Sequence, residues 1–251
     1  MNLPPVSIVM PVHNAGAVLK ETVESVLKQS FGDFELIMVE DNSSDDSLEK
    51  MRSLADEDER IRVLVNNGEH GAAHARNLGI KEAAGSILAF LDADDIWHKD
   101  KLEKTLRFMK EHDASFVFTS YEFGDEKAVG TGRIVHVPQT LDLEHALTRT
   151  VIFTSTVMLD IGRLGKEAVY MPAVPSEDTA CWWRILRSGI TAYGLDENLV
   201  IYRRAGKSLS SNKLVAVKRI WYLYRKQAGL GVIKSIICMF GWGVRAVARR
   251  I

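Results

Sequence analysis

The chain has little cysteine, little proline and no long hydrophobic run, and each shortage excludes a class of protein. Only Cys181 and Cys238 occur among 251 residues, too few for a disulfide framework, so a reducing, cytoplasmic setting is the default expectation. Six prolines and 18 glycines exclude collagen-like and low-complexity chains. No basic and apolar leader opens the sequence, because Met1-Asn2-Leu3-Pro4-Pro5 runs directly into strand-like residues. The longest charge-free stretch of the C-terminal region, Ser235 to Val244, falls short of the roughly 20 apolar residues that span a bilayer. Two phosphate-binding signatures are also missing: there is no G-x-x-x-x-G-K-[ST] and no G-x-G-x-x-G.

Acid is missing too, but only locally. No Asp or Glu follows Glu197, whereas residues 198–251 carry 12 of the 32 Lys and Arg. A net charge of −1 therefore hides an acidic body and a basic tail. Such a tail suits an anionic surface, or it packs its charges against the acidic body.

What is present is an ordinary globular composition, 46% hydrophobic and 26% charged, arranged as strands alternating with helices. Val6–Val12 reads as a buried strand, with Pro11 near its end where a missing donor does little harm. Asn14 is the expected cap of a helix built on Leu19, Val23, Val26 and Leu27. Phe34–Val39, Ile61–Val65, Ser86–Leu91 and Ser115–Tyr121 read as further strands. Between them fall helices from Ser47 to Leu54, from Gly71 to Ile80, and around Leu102, Leu106 and Met109. This alternation predicts an α/β fold with a doubly wound, mainly parallel sheet. From Glu122 to Asp160 the pattern changes to a hairpin ending at Pro138, a helical piece from Leu143 to Arg149, and a strand from Thr154 to Leu159. Such insertions often build specificity pockets. A helix from Thr179 to Arg187 then carries Trp182 and Trp183, and Gly189 ends it.

Polar clusters stand at the exits of four strands: His13-Asn14, Asp41 to Ser44, Asn67 to Gly71, and Asp92 to Asp95. Each alone reads more readily as loop polarity. In a parallel sheet, however, those exits share one edge, where open α/β sheets bind ligands. Asp41 can accept hydrogen bonds from a base or ribose, and Arg76 can stack on a base or donate to it. Asp92 and Asp94 can hold a ribose hydroxyl and an oxygen-loving metal that bridges two phosphates. The set describes a nucleoside diphosphate on a metal.

Pro11-Val12-His13-Asn14, Glu40-Asp41-Asn42-Ser43-Ser44-Asp45, Asn67…Gly71…Ala75-Arg76-Asn77-Leu78-Gly79, Asp92-Ala93-Asp94-Asp95 and Ser176-Glu177-Asp178 follow one another in order. Together they resemble the family 2 glycosyltransferases of GT-A fold over roughly residues 5–211. Glu177 to Arg184 is similar to the teichuronic-acid and capsule-type bacterial members. The resemblance implies a nucleotide pocket of Pro11, Val12, Asn14, Asp41, Asn67, Arg76, Asp92 and Ala93, with the base on Asp41 and the ribose on Asp92. It implies Mn²⁺ or Mg²⁺ on Asp94, and Asp178 as the general base of a single inverting displacement. Glu177, Trp182, Arg203 and Arg204 would serve the phosphates and the acceptor side. Without the resemblance, Glu177-Asp178 reads as a dipole-complementing helix start, and Arg203-Arg204 as the start of the basic tail.

His13 stands where Tyr is frequent in the family, Glu40 where a second Asp is common, and Ala205-Gly206 where a His is often found. No Gln-x-x-Arg-Trp pattern of processive synthases occurs, which favours transfer of a single sugar. The implied partners are a nucleotide-sugar donor, expected to be a UDP-sugar, and a saccharide or lipid-linked acceptor of bacterial surface polysaccharide assembly. No nucleic-acid partner is expected. A sugar-phosphate nucleotidyltransferase and a non-catalytic nucleotide-sugar binder are the alternatives. The reading divides the chain into a GT-A domain, 1–211, and a tail, 212–251, in which basic residues alternate with Trp221, Tyr222, Tyr224, Phe240 and Trp242. That tail is expected to lie on an anionic membrane surface at the inner face of the cell membrane; a helical lid or a dimer contact is the competing reading.

Overall fold

A computed structural model describes residues 5–204 and 213–248. Aliphatic runs make the centre of its sheet. Strands β1 (Val6–Val12), β2 (Phe34–Glu40), β3 (Ile61–Val65) and β4 (Ile87–Phe90) lie parallel in the order β3-β2-β1-β4. Every residue of β2 is buried, as is every residue of β1 except Pro11, which is how strands covered on both faces read. The cover comes from α1 (Leu19–Leu27), α2 (Ser47–Glu57) and α3 (Ala72–Glu82). Helix α3 approaches β1 so closely that a Cβ on Gly79 would stand 2.5 Å from Val9 Cγ1.

The second half contains β5 (Ile96–Trp97), α4 (Lys101–Glu111), β6 (Phe116–Gly124), β7 (Gly130–Val135), β8 (Thr140–Leu141) and α5 (Leu143–Thr148). A 3₁₀ turn (Thr154–Thr156), β9 (Met158–Asp160), α6 (Ile161–Leu164), α7 (Lys166–Val169), α8 (Glu177–Arg187) and β10 (Ala192–Arg203) follow. The sheet continues β4-β9-β6-β10-β5. Strand β9 is antiparallel to both neighbours, while β6 and β10 are parallel. The hairpin expected after Tyr121 is present as β6 and β7.

Three local expectations are corrected. The stretch Thr154–Leu159 is not one strand, because Thr156 N–H donates to Phe153 O and Val157 N–H to Thr154 O, which closes a turn before β9. Asn14 does not cap α1, which begins at Leu19; its side-chain oxygen instead accepts from Ser44 N at 2.8 Å. Trp182 is not on the acceptor side. It is 1% exposed and packs in the core between Phe90 and Phe116, with ring centroids 5.8 and 5.4 Å away.

The C-terminal region forms α9 (Lys213–Tyr222), a π-helical turn (Leu223–Gln227) and α10 (Val232–Ala248). It docks on α5 and α8: Tyr224 is fully buried, stacks on Trp183 at 5.5 Å and donates its hydroxyl to Leu147 O. Trp242 Nε1 donates to Thr150 Oγ1 at 3.0 Å. The other side of α10 leaves Ile233, Ile236, Ile237, Phe240 and Val244 exposed, at helical spacing. Among the described residues, no helix is long and apolar enough to cross a membrane.

Candidate active site

Because β1, β2, β3 and β4 run parallel, their exits meet at one edge. A cavity of about 900 Å³ opens there, lined among others by Pro11, Val12, His13, Asn14, Asp41, His70, Gly71, Arg76, Asp92, Ala93, Asp94 and Arg203. Of the nucleotide-pocket residues expected from sequence, the structure gathers all but Asn67.

At one end lies Asp41, buried and held by three donors. Asn66 Nδ2 reaches Oδ1 at 2.8 Å, His70 Nδ1 the same oxygen at 3.2 Å, and Gly71 N–H reaches Oδ2 at 2.7 Å. A carboxylate offers about four acceptor sites, so one stays available to a ligand. Gly71 takes φ of 121°, which a side chain would resist. The neighbour of the expected residue, Asn66, does the work here; Asn67 is exposed. His13 Nδ1 sits 2.8 Å from Asp41 O, and its Nε2 3.0 Å from Asn14 Nδ2. A carbonyl only accepts, so Nδ1 is the donor in the contact with Asp41 O.

At the other end the three carboxylates after β4 have distinct settings. Asp92 accepts from Arg76 at 2.6 Å. Asp94 lines the cavity; burial and the Asp92 charge push its carboxyl above the ordinary range, with Arg203 opposing the shift. Asp95 is fully buried, accepts from Ser155 Oγ at 2.5 Å and from Arg203 N–H at 3.1 Å, and is pushed well up by burial and by Asp92 and Asp94. It fixes the loop from behind.

Two links tie these carboxylates to the start of α8. Arg76, buried, donates to Asp92 Oδ1 and, at 2.8 Å, to Glu177 Oε1. Burial works against its charge, but the two carboxylates prevail and its pKa is raised. The second link is the 3₁₀ turn. Thr154 Oγ1 donates to Asp178 Oδ2 at 2.9 Å, while Ser155 Oγ accepts from Asp92 N–H at 3.1 Å and donates to Asp95. Ser176, just before α8, is left-handed with φ of 59°, as are Asn14 and Asn42 at the cavity rim; such non-glycine strain collects at functional sites.

Arg203 reaches the cavity wall, but its guanidinium is engaged by Asp94 O at 2.7 Å, Glu126 O at 2.9 Å and Glu21 at 2.6 Å. It braces the acidic loop rather than standing free for a phosphate. Arg204 lies over the Phe123 ring at 4.9 Å and does not line the cavity. Ala205 and Gly206, which stand where the family often has a His, lie outside the described residues. Sequence reasoning missed Asn66, His70, Thr154 and Ser155. For His70 and Asn66 the signal was the polar run after β3; for Thr154 and Ser155 the β-branched composition pointed to a strand instead.

Among the described residues, no group of three or more His, Cys, Asp or Glu is placed to hold a metal by itself. A cation held by one or two carboxylates and completed by substrate phosphates needs no such cage.

Residues 7–159 match the family described as Glycosyl transferase family 2. The chain is 39% identical over 249 residues to the putative teichuronic acid biosynthesis glycosyltransferase TuaG of Bacillus subtilis, covering 99% of this chain and 98% of that one. It is 36% identical to the Escherichia coli UDP-Glc:alpha-D-GlcNAc-diphosphoundecaprenol beta-1,3-glucosyltransferase WfgD, covering 86% and 83% of the two chains. In fold it is similar to S. aureus TarS, crystallised with UDP-GlcNAc, with a TM-score of 0.68 and 20% identity over 94% of this chain and 71% of that one. It is also similar to the mannosyltransferase PcManGT of Pyrobaculum calidifontis in complex with GDP-Man and Mn²⁺, with a TM-score of 0.71 and 16% identity over 98% and 74%. A parallel sheet with its acidic loop at the β4 exit, and an Asp-bearing helix tied back to that loop, thus go with relatives that share nearly the whole chain: the protein belongs to glycosyl transferase family 2 and has the GT-A fold.

Proposed function

We propose that the protein transfers one sugar from a UDP-sugar, with inversion, to a hydroxyl of a lipid-linked saccharide in the assembly of a bacterial surface polysaccharide. The observation that carries the reading is the double tie from Asp92 and Asp95 to Glu177 and Asp178, since a displacement needs its base and its leaving group at fixed separation. Asp41 receives the base, with Val12 and Asn14 beside it. Asp92, turned by Arg76, receives the ribose. The Asp94 carboxyl is an oxygen donor whose buried charge is uncompensated enough to raise its pKa, which fits Mn²⁺ or Mg²⁺. A bound divalent ion would neutralise the charge that develops on the departing diphosphate. Asp178 removes the acceptor's proton, and Thr154 and the Thr179 N–H (2.6 Å) hold its two oxygens in place. Names of relatives support the acceptor class, WfgD being named for a diphosphoundecaprenol-linked substrate.

Residues 212–251 are read as the membrane-associating part, on two supports: the exposed stripe of α10 and the absence of acid after Glu197. Among the described residues, Lys218, Arg219, Arg225, Lys226, Lys234 and Arg245 form no ion pair with the acidic body, which leaves their charges for anionic lipid.

The test pairs two variants. Asp94→Ala is expected to abolish Mn²⁺-dependent UDP binding in calorimetry. Asp178→Asn should keep that binding yet lower sugar transfer by about 100-fold or more. Wild-type transfer rates in Asp178→Asn would sink the base assignment.

A further inference from the structure

A second cavity, of about 170 Å³, lies between the start of α8 and the C-terminal helices and shares no wall residue with the nucleotide pocket. Ser176 and Thr179 form one side of it. They flank Glu177-Asp178 within a single helical turn, whose pitch is about 5.4 Å. Trp242 and Thr150, hydrogen-bonded to each other, form another side, and α9 contributes Arg219. No carboxylate lines the cavity. Among the described residues Arg219 has neither an ion pair nor a hydrogen bond, whereas Arg187, Arg225 and Arg245 are each bound to a backbone carbonyl.

A guanidinium without a partner, facing hydroxyls and an indole and no acid, is a recognition element for an oxygen-rich anion. We propose that this cavity binds the phosphate or diphosphate through which the acceptor sugar is joined to its lipid. The inference rests on the transferase reading above and adds where the acceptor is anchored. It also bears on the acceptor's size. Two residues of the cavity wall, Ser176 and Thr179, lie within two positions of Asp178 in sequence, so the anchor is beside the proposed base and not remote from it. A phosphate held there favours attack by the sugar directly attached to it over the end of a long glycan. The exposed apolar side chains of α9 and α10, Leu214 and Ile237 among them, keep the lipid next to that anchor.

The test uses the full chain with EDTA present, so that the metal-dependent donor site cannot hold the probes. Calorimetry is run with farnesyl diphosphate, inorganic pyrophosphate and farnesol, on wild type, Arg219→Gln, Arg219→Lys and, as a charge-loss control one residue away, Lys218→Gln. Saturable binding of farnesyl diphosphate is expected, weakened at least about tenfold by Arg219→Gln and within about twofold of wild type in Lys218→Gln. Arg219→Lys should fall between. Competition by pyrophosphate shows that the phosphate group is what Arg219 reads, and binding of farnesyl diphosphate alone assigns the site to the lipid-linked form. Equal losses in Arg219→Gln and Lys218→Gln would overturn the proposal, as would farnesol binding as well as farnesyl diphosphate. A parallel titration of wild type with UDP and Mn²⁺ separates the failures: no binding there overturns the transferase reading and this one with it, whereas binding there with an indifferent Arg219 overturns this one alone.

Discussion

Arg76 holds Asp92 and Glu177 in one grip although they are far apart along the chain, and Thr154 holds Asp178, the proposed base, by way of one hydroxyl. Thr154→Val removes that hydrogen bond while keeping the shape of the side chain. Transfer should drop about tenfold with UDP affinity unchanged, and Thr154→Ser should restore the rate; the ratio of kcat to UDP affinity across the three proteins is the check. A different residue stores a cost. Lys101 is fully buried, its Nζ has no hydrogen-bond partner, and the Trp97 ring lies 3.8 Å away. Burial pushes its pKa from 10.5 down to about 7. The unfolded chain keeps that proton to higher pH than the folded one, so Lys101 makes stability rise with pH between those values. Lys101→Met should therefore stabilise the fold by about 1–3 kcal/mol at pH 7, with the gain fading as the pH approaches 10.5, as denaturant melts at a series of pH values would show. Of the cavity wall, Asp41, Asp92 and Asp94 were legible because acids at strand exits follow the chain locally, whereas Asp178 was singled out only by the family resemblance. Thr154 and Ser155 were not legible, since a hydroxyl's meaning depends on which distant carboxylate the fold brings to it. Arg203 reads as a phosphate ligand in sequence for the same reason: Glu21, which occupies it, comes from α1.

Helix α3 shows how element packing constrains the pocket. Its small residues let it lie against β1, and Gly79 marks the closest approach. Gly79→Ala would force Val9 or the helix to move, at a cost of about 1–3 kcal/mol. Because Arg76 rides on the same helix, UDP affinity should fall along with the melting temperature; a fall in one without the other would separate the two roles. The first four strands were legible as uninterrupted aliphatic runs. Strand β10 was not. It carries Asp196, Glu197 and Asn198 at its middle, where the pairing with β6 shifts register, so a bulge hides its alternation. Strand β5 is two residues long, below what any periodicity can reveal.

At the scale of the whole molecule, the tail is both core and surface. Deleting it would expose Trp183 and remove Tyr224 from the interior, so truncation would confuse folding with membrane attachment. The double variant Ile237→Asp/Phe240→Asp touches only exposed positions, 64% and 76% accessible. It should abolish cosedimentation with phosphatidylglycerol vesicles and leave the melting temperature within a few degrees of wild type. Composition made the basic, aromatic character of the tail legible; its docking on α5 and α8 was not, because amphipathic spacing shows that a helix has two faces without naming what each one meets. The reversed strand β9 was hidden for a similar reason, since parallel and antiparallel partners share one composition. Its direction has a further consequence. Strand β9 begins level with Val117 of β6 and Ala89 of β4, well before β6 ends at Gly124, so residues 125–157 return along β6 and finish in the turn that sets Thr154 and Ser155 against the carboxylates. Only the exposed part of that excursion is free to vary in length and sequence; its closing turn is a fixed latch between the two halves of the sheet.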